Sequence, residues 1–276
     1  MTIEPNGMGG LRIRQTMARP VIYLDHWAVR HFADQEADAR RFISALHAAR
    51  GTWLFSQVNL SEFIVMRDLA TARNVEALIA RAFPYFYVLD TVGDTDLLSG
   101  RNPNEPRSAD APNSHWILRD LAERALIGRG RFHSRRFISD AIMHADTLLP
   151  LFKQMKEAIA QSVAEKRSSM LVDRPRKDFV PRKGMHLKEI FIDELLMEPE
   201  AQQGQKFKEN DVADFLHAVA GTLMCDFVLL DLAWCNKVRV ASERIRLADI
   251  GGHLGKPYSP RNVPGFLMDL ESWANI

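Results

Sequence analysis

The stretch that most constrains the fold is residues 210–234, NDVADFLHAVAGTLMCDFVLLDLAW. Asp211–Met224 has the pattern of a helix, and Asp211 is a suitable N-cap. Phe227–Leu230 is a short continuous apolar run, which is typical of a strand buried on both faces. Asp231 follows this run directly, and open α/β sheets bind ligands at the carboxyl ends of their strands. The segment therefore predicts an α/β fold with a carboxylate in its ligand crevice.

A second apolar run followed by an aspartate lies near the N-terminus. Val21–Leu24 leads into Asp25, as the later strand leads into Asp231. A third run, Trp53–Phe55, precedes a predicted helix that carries Glu62. If these strands are adjacent and parallel, the acids that follow them meet at one edge of the sheet.

The predicted helix of residues 211–224 adds two more carboxylates. Asp211 and Asp214 are three residues apart, so both lie on one side of its first turn. A cluster of such acids repels itself, because like charges a few ångströms apart cannot all stay ionised. A hard divalent cation with oxygen ligands and retained waters resolves the repulsion, which suits Mg²⁺ or Mn²⁺. No His/Cys spacing in the chain suggests zinc.

Composition narrows the class of protein. With 276 residues the chain can form one large domain or two small ones, and its net charge of +1 gives no global attraction to nucleic acid. The two cysteines, Cys225 and Cys235, lie in predicted core elements and are expected to be buried thiols. The sequence has no apolar run of membrane-spanning length and no signal peptide, so we expect a cytoplasmic protein without membrane contact.

Strand and helix patterns alternate over residues 20–90, which predicts βαβαβ and a parallel, right-handed sheet. The predicted strands are Val21–Leu24, Trp53–Phe55 and Tyr85–Leu89, and the helices between them span residues 26–50 and 59–83. Residues 1–19 are irregular and predict a flexible leader or a short extra strand.

Residues 91–207 interrupt this alternation and predict a mostly helical insertion or cap. The expected helices there are Trp116–Ile127, Phe137–Leu171 with a break near Pro150, and His186–Met197. Beyond Asp231 we expect a last strand at Lys237–Ala241 and a helix at Val263–Ala274. The predicted organisation is thus a leader (1–19), an α/β core (20–90 and 208–276) and an insertion (91–207).

The order of the acids resembles that of PIN-domain ribonucleases. Asp25 after the first strand, Glu62 on the helix after the second, Asp214 on a helix and Asp231 after the following strand are similar to the four acidic motifs of that family. The interval of 17 residues between Asp214 and Asp231 fits the helix-plus-strand unit. Asp211, three residues before Asp214, is similar to a PIN-like branch with a second acid.

The resemblance covers residues 20–90 and 208–245 and implies a three-layer α/β/α PIN-like parallel sheet with a helical insertion. It implies hydrolysis of RNA or DNA phosphodiesters, with an endoribonuclease favoured, and Mg²⁺ or Mn²⁺ as the cofactor. Asp25, Asp214 and Asp231 would be the main metal ligands, with Asp211 beside them and Glu62 acting directly or through water.

The same resemblance raises hypotheses about biological role. Bacterial members often act as toxins or defence effectors, so an inhibitory protein partner or a homo-oligomer becomes a hypothesis. No residue pattern in the chain indicates either one.

Two further residues are predicted to reach the substrate. Asn59 lies three residues before Glu62, and His217 lies one turn after Asp214. Alternatively, His217 is a hydrogen-bonded core histidine. The acids also have local alternatives, since Asp211 and Asp214 suit a helix start and strand-end aspartates suit turns.

Two basic segments, residues 129–136 and 166–188, combine arginines and lysines with aromatic residues. Phosphate binding with base stacking uses such side chains, and solvated loop charge is the alternative. From the first segment we predict Arg131, Arg135 and Arg136 as contacts to nucleic acid.

Two alternatives to the nuclease remain open on the sequence. A haloacid-dehalogenase-type phosphatase also has an apolar strand followed by Asp, but it normally has a second Asp two residues later, where this chain has Trp27. A catalytically degenerate PIN-like module would bind RNA or a protein without cleaving it.

Overall fold

The computed structural model describes residues 2–5, 11–14, 17–89, 136–173, 186–196 and 209–274. Its strands are β1 (Thr2–Pro5), β2 (Leu11–Arg14), β3 (Val21–Leu24), β4 (Thr52–Ser56), β5 (Phe86–Leu89), β6 (Phe227–Leu229) and β7 (Lys256–Tyr258). Its helices are α1 (His26–Asp34), α2 (Glu36–Ala49), α3 (Gln57–Met66), α4 (Leu69–Ala82), α5 (Phe137–Met143), α6 (Ala145–Asp173), α7 (Leu187–Leu196), α8 (Glu209–Met224), α9 (Leu232–Leu247) and α10 (Val263–Trp273).

A parallel five-stranded sheet, in the order β5-β4-β3-β6-β7, is the centre of the fold. Strand β3 lies in the middle, with Tyr23 opposite Leu54 of β4 and Leu24 opposite Leu229 of β6. The carboxyl ends of these three strands therefore share one edge, although β6 lies about 200 residues along the chain from β3. Strands β1 and β2 pair antiparallel in a separate ribbon within residues 1–19.

Alternating side chains of the sheet enter two apolar cores. Ile22 and Trp53 face a core completed by α1, α2, α4, α5 and α10. Tyr23, Leu54 and Val228 face the other core, which α7, α8 and α9 complete. Helices thus cover both faces of the sheet, an arrangement compatible with a three-layer α/β/α fold. Among the helices of the described ranges, none is both long enough and apolar enough to traverse a bilayer.

Two helices predicted as continuous are each interrupted. The chain breaks at Gln35 between α1 and α2, and at Arg67 and Asp68 between α3 and α4. Arg67 adopts a left-handed conformation with φ of 54°, and the Asp68 side chain accepts the backbone N–H groups of the next helix. A strong N-cap inside an apolar pattern starts a new helix, which the periodicity alone did not reveal.

The predicted strand at Lys237–Ala241 is wrong, because these residues belong to α9. Val238, Ala241 and Ile245 are buried at helical spacing on one side of α9. The last strand is instead β7, which was missed because it is short and contains Pro257; proline is tolerated in such an edge strand.

The predicted helix Phe137–Leu171 breaks at His144 and not near Pro150. Helix α6 runs through Pro150, in its second turn, with the loss of one backbone hydrogen bond. The predicted helix His186–Met197 is confirmed as α7, whereas Trp116–Ile127 lies outside the described residues.

The described helices of the predicted insertion pack directly on the α/β elements. Helix α5 contacts α3 and α4, helix α6 contacts α3 and α8, and helix α7 contacts α9. Phe137 of α5 lies edge-on to Phe55 of β4, with ring centroids 6.1 Å apart. These three helices therefore contribute to both cores, and the division of the chain into core and insertion stays a prediction.

Candidate active site

Three helices begin where three neighbouring parallel strands end. Asp25, Ser56 and Asp231 follow or close β3, β4 and β6, and they are the N-caps of α1, α3 and α9. Each side chain accepts the backbone N–H three residues later, at 3.2, 3.3 and 2.9 Å respectively. Because a helix N-terminus carries partial positive charge, this edge of the sheet favours anionic groups.

Asp25 and Asp231 lie side by side at this edge. The backbone N–H of Asp231 donates to Asp25 Oδ2 at 2.9 Å, and the N–H of Asp25 donates to the Leu229 carbonyl at 3.0 Å. Asp25 is 6% exposed. Burial raises the pKa of Asp25 well above its ordinary value; the charge of His217 opposes the rise, and the charges of Glu62 and Asp231 add to it.

Asp214 of α8 is close enough to Asp231 for their charges to interact. Burial raises the pKa of Asp214 from 3.8 to about 6, and repulsion from Asp231 is the next cause. Glu62 and Asp211 add to this rise, while His217 opposes it. The structure thus brings the five predicted site acids into one electrostatic cluster.

Asp211 is not the N-cap of its helix, which corrects one expectation. Helix α8 already includes Glu209 and Asn210, so Asp211 lies inside the helix, where it is partly buried. Asp211 is close enough to Asp214 for its charge to add to the rise in the pKa of Asp214.

Glu62 of α3 and His217 of α8 form a hydrogen-bonded pair, with His217 Nε2 2.7 Å from Glu62 Oε2. Burial acts to raise the pKa of Glu62, but the charge and hydrogen bond of His217 outweigh it and lower the pKa below its ordinary value. Burial acts to lower the pKa of His217, but the charge and hydrogen bond of Glu62, with the charges of Asp25 and Asp214, raise it above its ordinary value. Both shifts favour an imidazolium–carboxylate pair.

A buried chain of polar groups continues from this pair. His217 Nδ1 lies 2.6 Å from the Tyr23 hydroxyl, which lies 2.7 Å from Ser56 Oγ. Ser56 Oγ donates to Asn59 Oδ1 at 3.0 Å, and Asn59 Nδ2 donates to the Leu24 carbonyl at 3.0 Å. The predicted residue Asn59 is therefore fully buried behind the acids.

His217 was predicted either to reach the substrate or to be a hydrogen-bonded core histidine, and the structure shows features of both. His217 is a buried, hydrogen-bonded histidine with 1% exposure, and it also holds a predicted site acid. Sequence reasoning gave neither Tyr23 nor Ser56 a role in the site. The signal for Tyr23 is a hydroxyl inside an otherwise apolar strand, since a buried tyrosine hydroxyl usually has a partner.

The predicted basic contacts are only partly described. Arg131 and Arg135 lie outside the described residues, whereas Arg136 is exposed and pairs with Asp140 at 3.3 Å. A different cation, Lys156 of α6, is close enough to the acids to help lower the pKa of Glu62. The structure thus places one positive charge from the predicted insertion near the carboxylates.

The donor chemistry of this edge fits Mg²⁺ or Mn²⁺, because every acid offers hard oxygen ligands. Burial and the charge of Asp231 both raise the pKa of Asp214, so a bound cation would favour its ionised form. In the part of the chain that the structure describes, no group of three or more His, Cys, Asp or Glu side chains is arranged so that it could hold a metal ion. Mg²⁺ often binds through one or two carboxylates with water and substrate phosphates as its other ligands, and Asp214 and Asp231, whose charges interact, are the candidates for that mode.

Fold and site together define a parallel α/β protein with acids at the carboxyl edge of its central strands. Comparisons with protein-family models, with characterised proteins and with solved structures found no match for the chain. The chemistry of the site is therefore the basis on which the function of the protein can be inferred.

Proposed function

We propose that this protein is a metal-dependent phosphodiesterase, a PIN-like nuclease that cleaves RNA in preference to DNA. The observation that carries the proposal is the meeting of Asp25 and Asp231 at the ends of adjacent strands, with Asp214 within reach of the charge of Asp231. Polar groups at the carboxyl edge of a parallel sheet occupy the usual ligand site of α/β folds.

Asp214 and Asp231 would hold the ion, with Asp25 and Glu62 acting beside them directly or through water. When bound, such an ion lowers the pKa of a water molecule and neutralises charge on phosphoryl oxygens. The N-termini of α1, α3 and α9 converge on the same edge and favour the negative charge of a phosphate there. Lys156 would add a cation on the side of α6.

The test is cleavage of labelled single-stranded RNA and DNA with Mn²⁺, Mg²⁺ or EDTA. We expect cleavage that EDTA abolishes, and a loss of at least about 100-fold in Asp25→Asn and in Asp231→Asn, because each removes a carboxylate charge from the cluster. The control is Asp249→Asn, just beyond the far end of α9, whose 16 residues span about 24 Å. Asp249 is exposed with φ of 54°, a conformation that Asn also tolerates. Full activity in Asp231→Asn would overturn the site.

A second candidate is a PIN-like module that binds RNA without cleaving it. It is favoured by the bonding of Asp25, whose two carboxylate oxygens both accept backbone N–H groups and which therefore has fewer lone pairs for an ion. In that case RNA binding would persist in EDTA and no cleavage would occur. Hydrolysis of a phosphomonoester without nuclease activity would instead indicate the phosphatase.

A role as a toxin or defence effector, with an inhibitory partner or as a homo-oligomer, is part of this proposal through the family resemblance alone. Survival of cells that express the wild-type chain or Asp231→Asn tests it. Growth arrest by the wild type only is the expected result for a toxin.

A further inference from the structure

The buried polar chain described above ends on a site acid, and its geometry assigns a role to His217. We infer that His217 is a positioning residue that fixes the carboxylate of Glu62 through Oε2, so that Oε1 is presented to the ion or the substrate. The inference rests on the proposed function where activity is measured, and on the Glu62–His217 contact itself where it is not.

The two partners approach from different helices and are well shielded from solvent. Side-chain exposure is 2% for His217 and 22% for Glu62, and their atoms Nε2 and Oε2 are 2.7 Å apart. Without this bond, Glu62 would keep the rotational freedom of a long side chain at the rim of a crevice. A carboxylate held in one orientation serves as a ligand or general base better than a mobile one, because small misplacements lower rates steeply.

The hydrogens along the chain fix the imidazole ring of His217. Because Asn59 Nδ2 donates to the Leu24 carbonyl, Asn59 Oδ1 faces Ser56 and accepts its backbone N–H at 2.9 Å. The Ser56 hydroxyl donates to Asn59 Oδ1, so the Tyr23 hydroxyl donates to Ser56 Oγ and accepts from Nδ1–H of the His217 imidazolium. Both ring nitrogens of His217 are thus bonded, so rotation of the ring breaks two hydrogen bonds.

The groups at the far end of this hydrogen-bonded chain indicate that it orients Glu62 and does not conduct protons. The last groups are the Asn59 amide and the Leu24 carbonyl, neither of which accepts or releases a proton at ordinary pH. A proton on His217 therefore has no acceptor beyond Ser56. The hydrogen-bonded chain therefore holds Glu62 in place, through side chains that connect it to α8, to β4 and to the end of β3.

Stability alone does not explain a buried pair of ionisable groups at this position. Two apolar side chains of similar volume are often as stable as a buried ion pair or more so, because the pair loses its hydration. The bond also joins residues 155 positions apart in the sequence, which ties α8 to α3 directly beside the other acids. Both observations favour a role in the site.

Two substitutions separate the two bonds of the ring. His217→Gln places an amide where Nε2 lies and keeps a donor for Glu62, whereas His217→Asn places an amide where Nδ1 lies and keeps only the contact with Tyr23. With a fluorescein-labelled single-stranded RNA and Mn²⁺, we expect kcat to fall on the order of 10- to 100-fold in His217→Asn and much less in His217→Gln. KM should change little in both.

A double-mutant cycle supplies a second criterion. His217→Asn should cause no further loss of kcat in a Glu62→Gln background, because the function of His217 is exercised through Glu62. Equal losses in the Gln and Asn variants of His217, or additive losses in the cycle, would overturn the assignment, since a merely structural histidine would behave in that way.

The inference has a readout that survives failure of the nuclease proposal. In ¹⁵N-histidine-labelled protein, the Nε2–H of His217 should give a downfield proton resonance that exchanges slowly with water, unlike the exposed His144. This resonance should disappear in Glu62→Ala and persist in Asp231→Asn. If no RNA is cleaved but the resonance depends on Glu62, the pairing stands and the nuclease proposal fails. If this resonance is unchanged in Glu62→Ala, His217 does not bind Glu62 and the inference is wrong.

Discussion

Asp25 and Asp231 meet a local requirement and a tertiary one at the same time. Each caps a helix, a contribution of about 1 kcal/mol that explains an aspartate at a strand end without any catalysis. The hydrogen bond from the Asp231 N–H to Asp25 Oδ2 has no such local explanation, since the residues are 206 positions apart. Asp214 differs from both, because its pKa of about 6 reflects burial and repulsion that no cap relieves.

Asp214→Asn should make the protein more stable at neutral pH. Since the folded-state pKa of about 6 lies above the ordinary 3.8, the folded protein binds this proton more tightly, and stability falls as the pH rises between these values. Discounted for partial exposure, the gain in free energy of unfolding should be about 1 kcal/mol above pH 6 and absent below pH 3.8.

Urea denaturation of the variant and the wild type at the two pH extremes measures this difference. Asp249→Asn serves as the control and should show no pH-dependent gain. A variant that is less stable than the wild type at neutral pH would contradict the charge argument for Asp214.

At the scale of elements, the approach of α8 to the sheet decides where the site lies. Gly221 sits against β6 and β3, where an added Cβ would collide with the Val228 side chain and come within 3.1 Å of Tyr23 Cδ1. His217 and Asp214 lie four and seven residues before Gly221, on the same face of the helix. The close contact at Gly221 therefore sets the depth at which both side chains reach the edge.

Gly221→Ala should destabilise the protein by about 1–3 kcal/mol through overpacking against Val228. The sign is informative, because alanine has a higher helix propensity by about 1 kcal/mol and would otherwise stabilise α8. Chemical denaturation measures the effect. Gly251→Ala is the matched control, since a Cβ there meets nothing within 4 Å and should leave stability unchanged. A stabilised Gly221→Ala would show that α8 can move away from the sheet freely.

At the scale of the whole molecule, ion pairs with buried acids join the helices of the predicted insertion to each other and to the α/β elements. Glu194 of α7 accepts from Arg244 of α9 at 2.6 Å, and the Glu194 side chain is 2% exposed. Asp193 of α7 pairs with Lys166 of α6 at 2.7 Å and is also buried. Removal of either cation would leave a carboxylate without its charge partner in a poorly solvated place.

Arg244→Ala should lower the free energy of unfolding by about 2 kcal/mol, below the full cost of breaking a buried pair because Arg244 itself is partly exposed. Arg246→Ala is the matched control two residues later on α9. Its pair with Glu243 is also 2.6 Å long, but both side chains are exposed, so the change should be below about 0.5 kcal/mol. Equal effects in urea unfolding would contradict the importance of burial at Glu194.

The net charge of +1 leaves nucleic-acid binding to local patches. Simultaneous replacement of Arg131, Arg135 and Arg136 by alanine should weaken RNA binding and flatten its dependence on salt, because fewer phosphates are neutralised. Fluorescence anisotropy at several salt concentrations measures both. The control replaces three exposed arginines of other helices, Arg40, Arg73 and Arg246. Equal behaviour of the two triple variants would remove the basic segment as an RNA contact.

Local patterns identified most of the elements that surround the site. The buried strands ending before Asp25 and Asp231 were predictable, because four apolar residues in a row have few other stable arrangements. The alternation of Lys237, Val238, Arg239 and Val240 was misleading, since it fits a strand as well as a helix. Asp231 as N-cap and the buried side of α9 resolve that ambiguity in favour of a helix.

The sequence alone determined the class of fold, the position of the acids at strand ends and the helix that carries Asp214. These features are predictable because burial and capping depend on neighbours along the chain. Only the tertiary structure decided that β3 lies between β4 and β6, that Asp25 receives the N–H of Asp231, and that His217 joins Glu62 to Tyr23. Such pairings depend on strand order and on how closely α8 approaches the sheet, and a pattern of neighbouring residues contains neither.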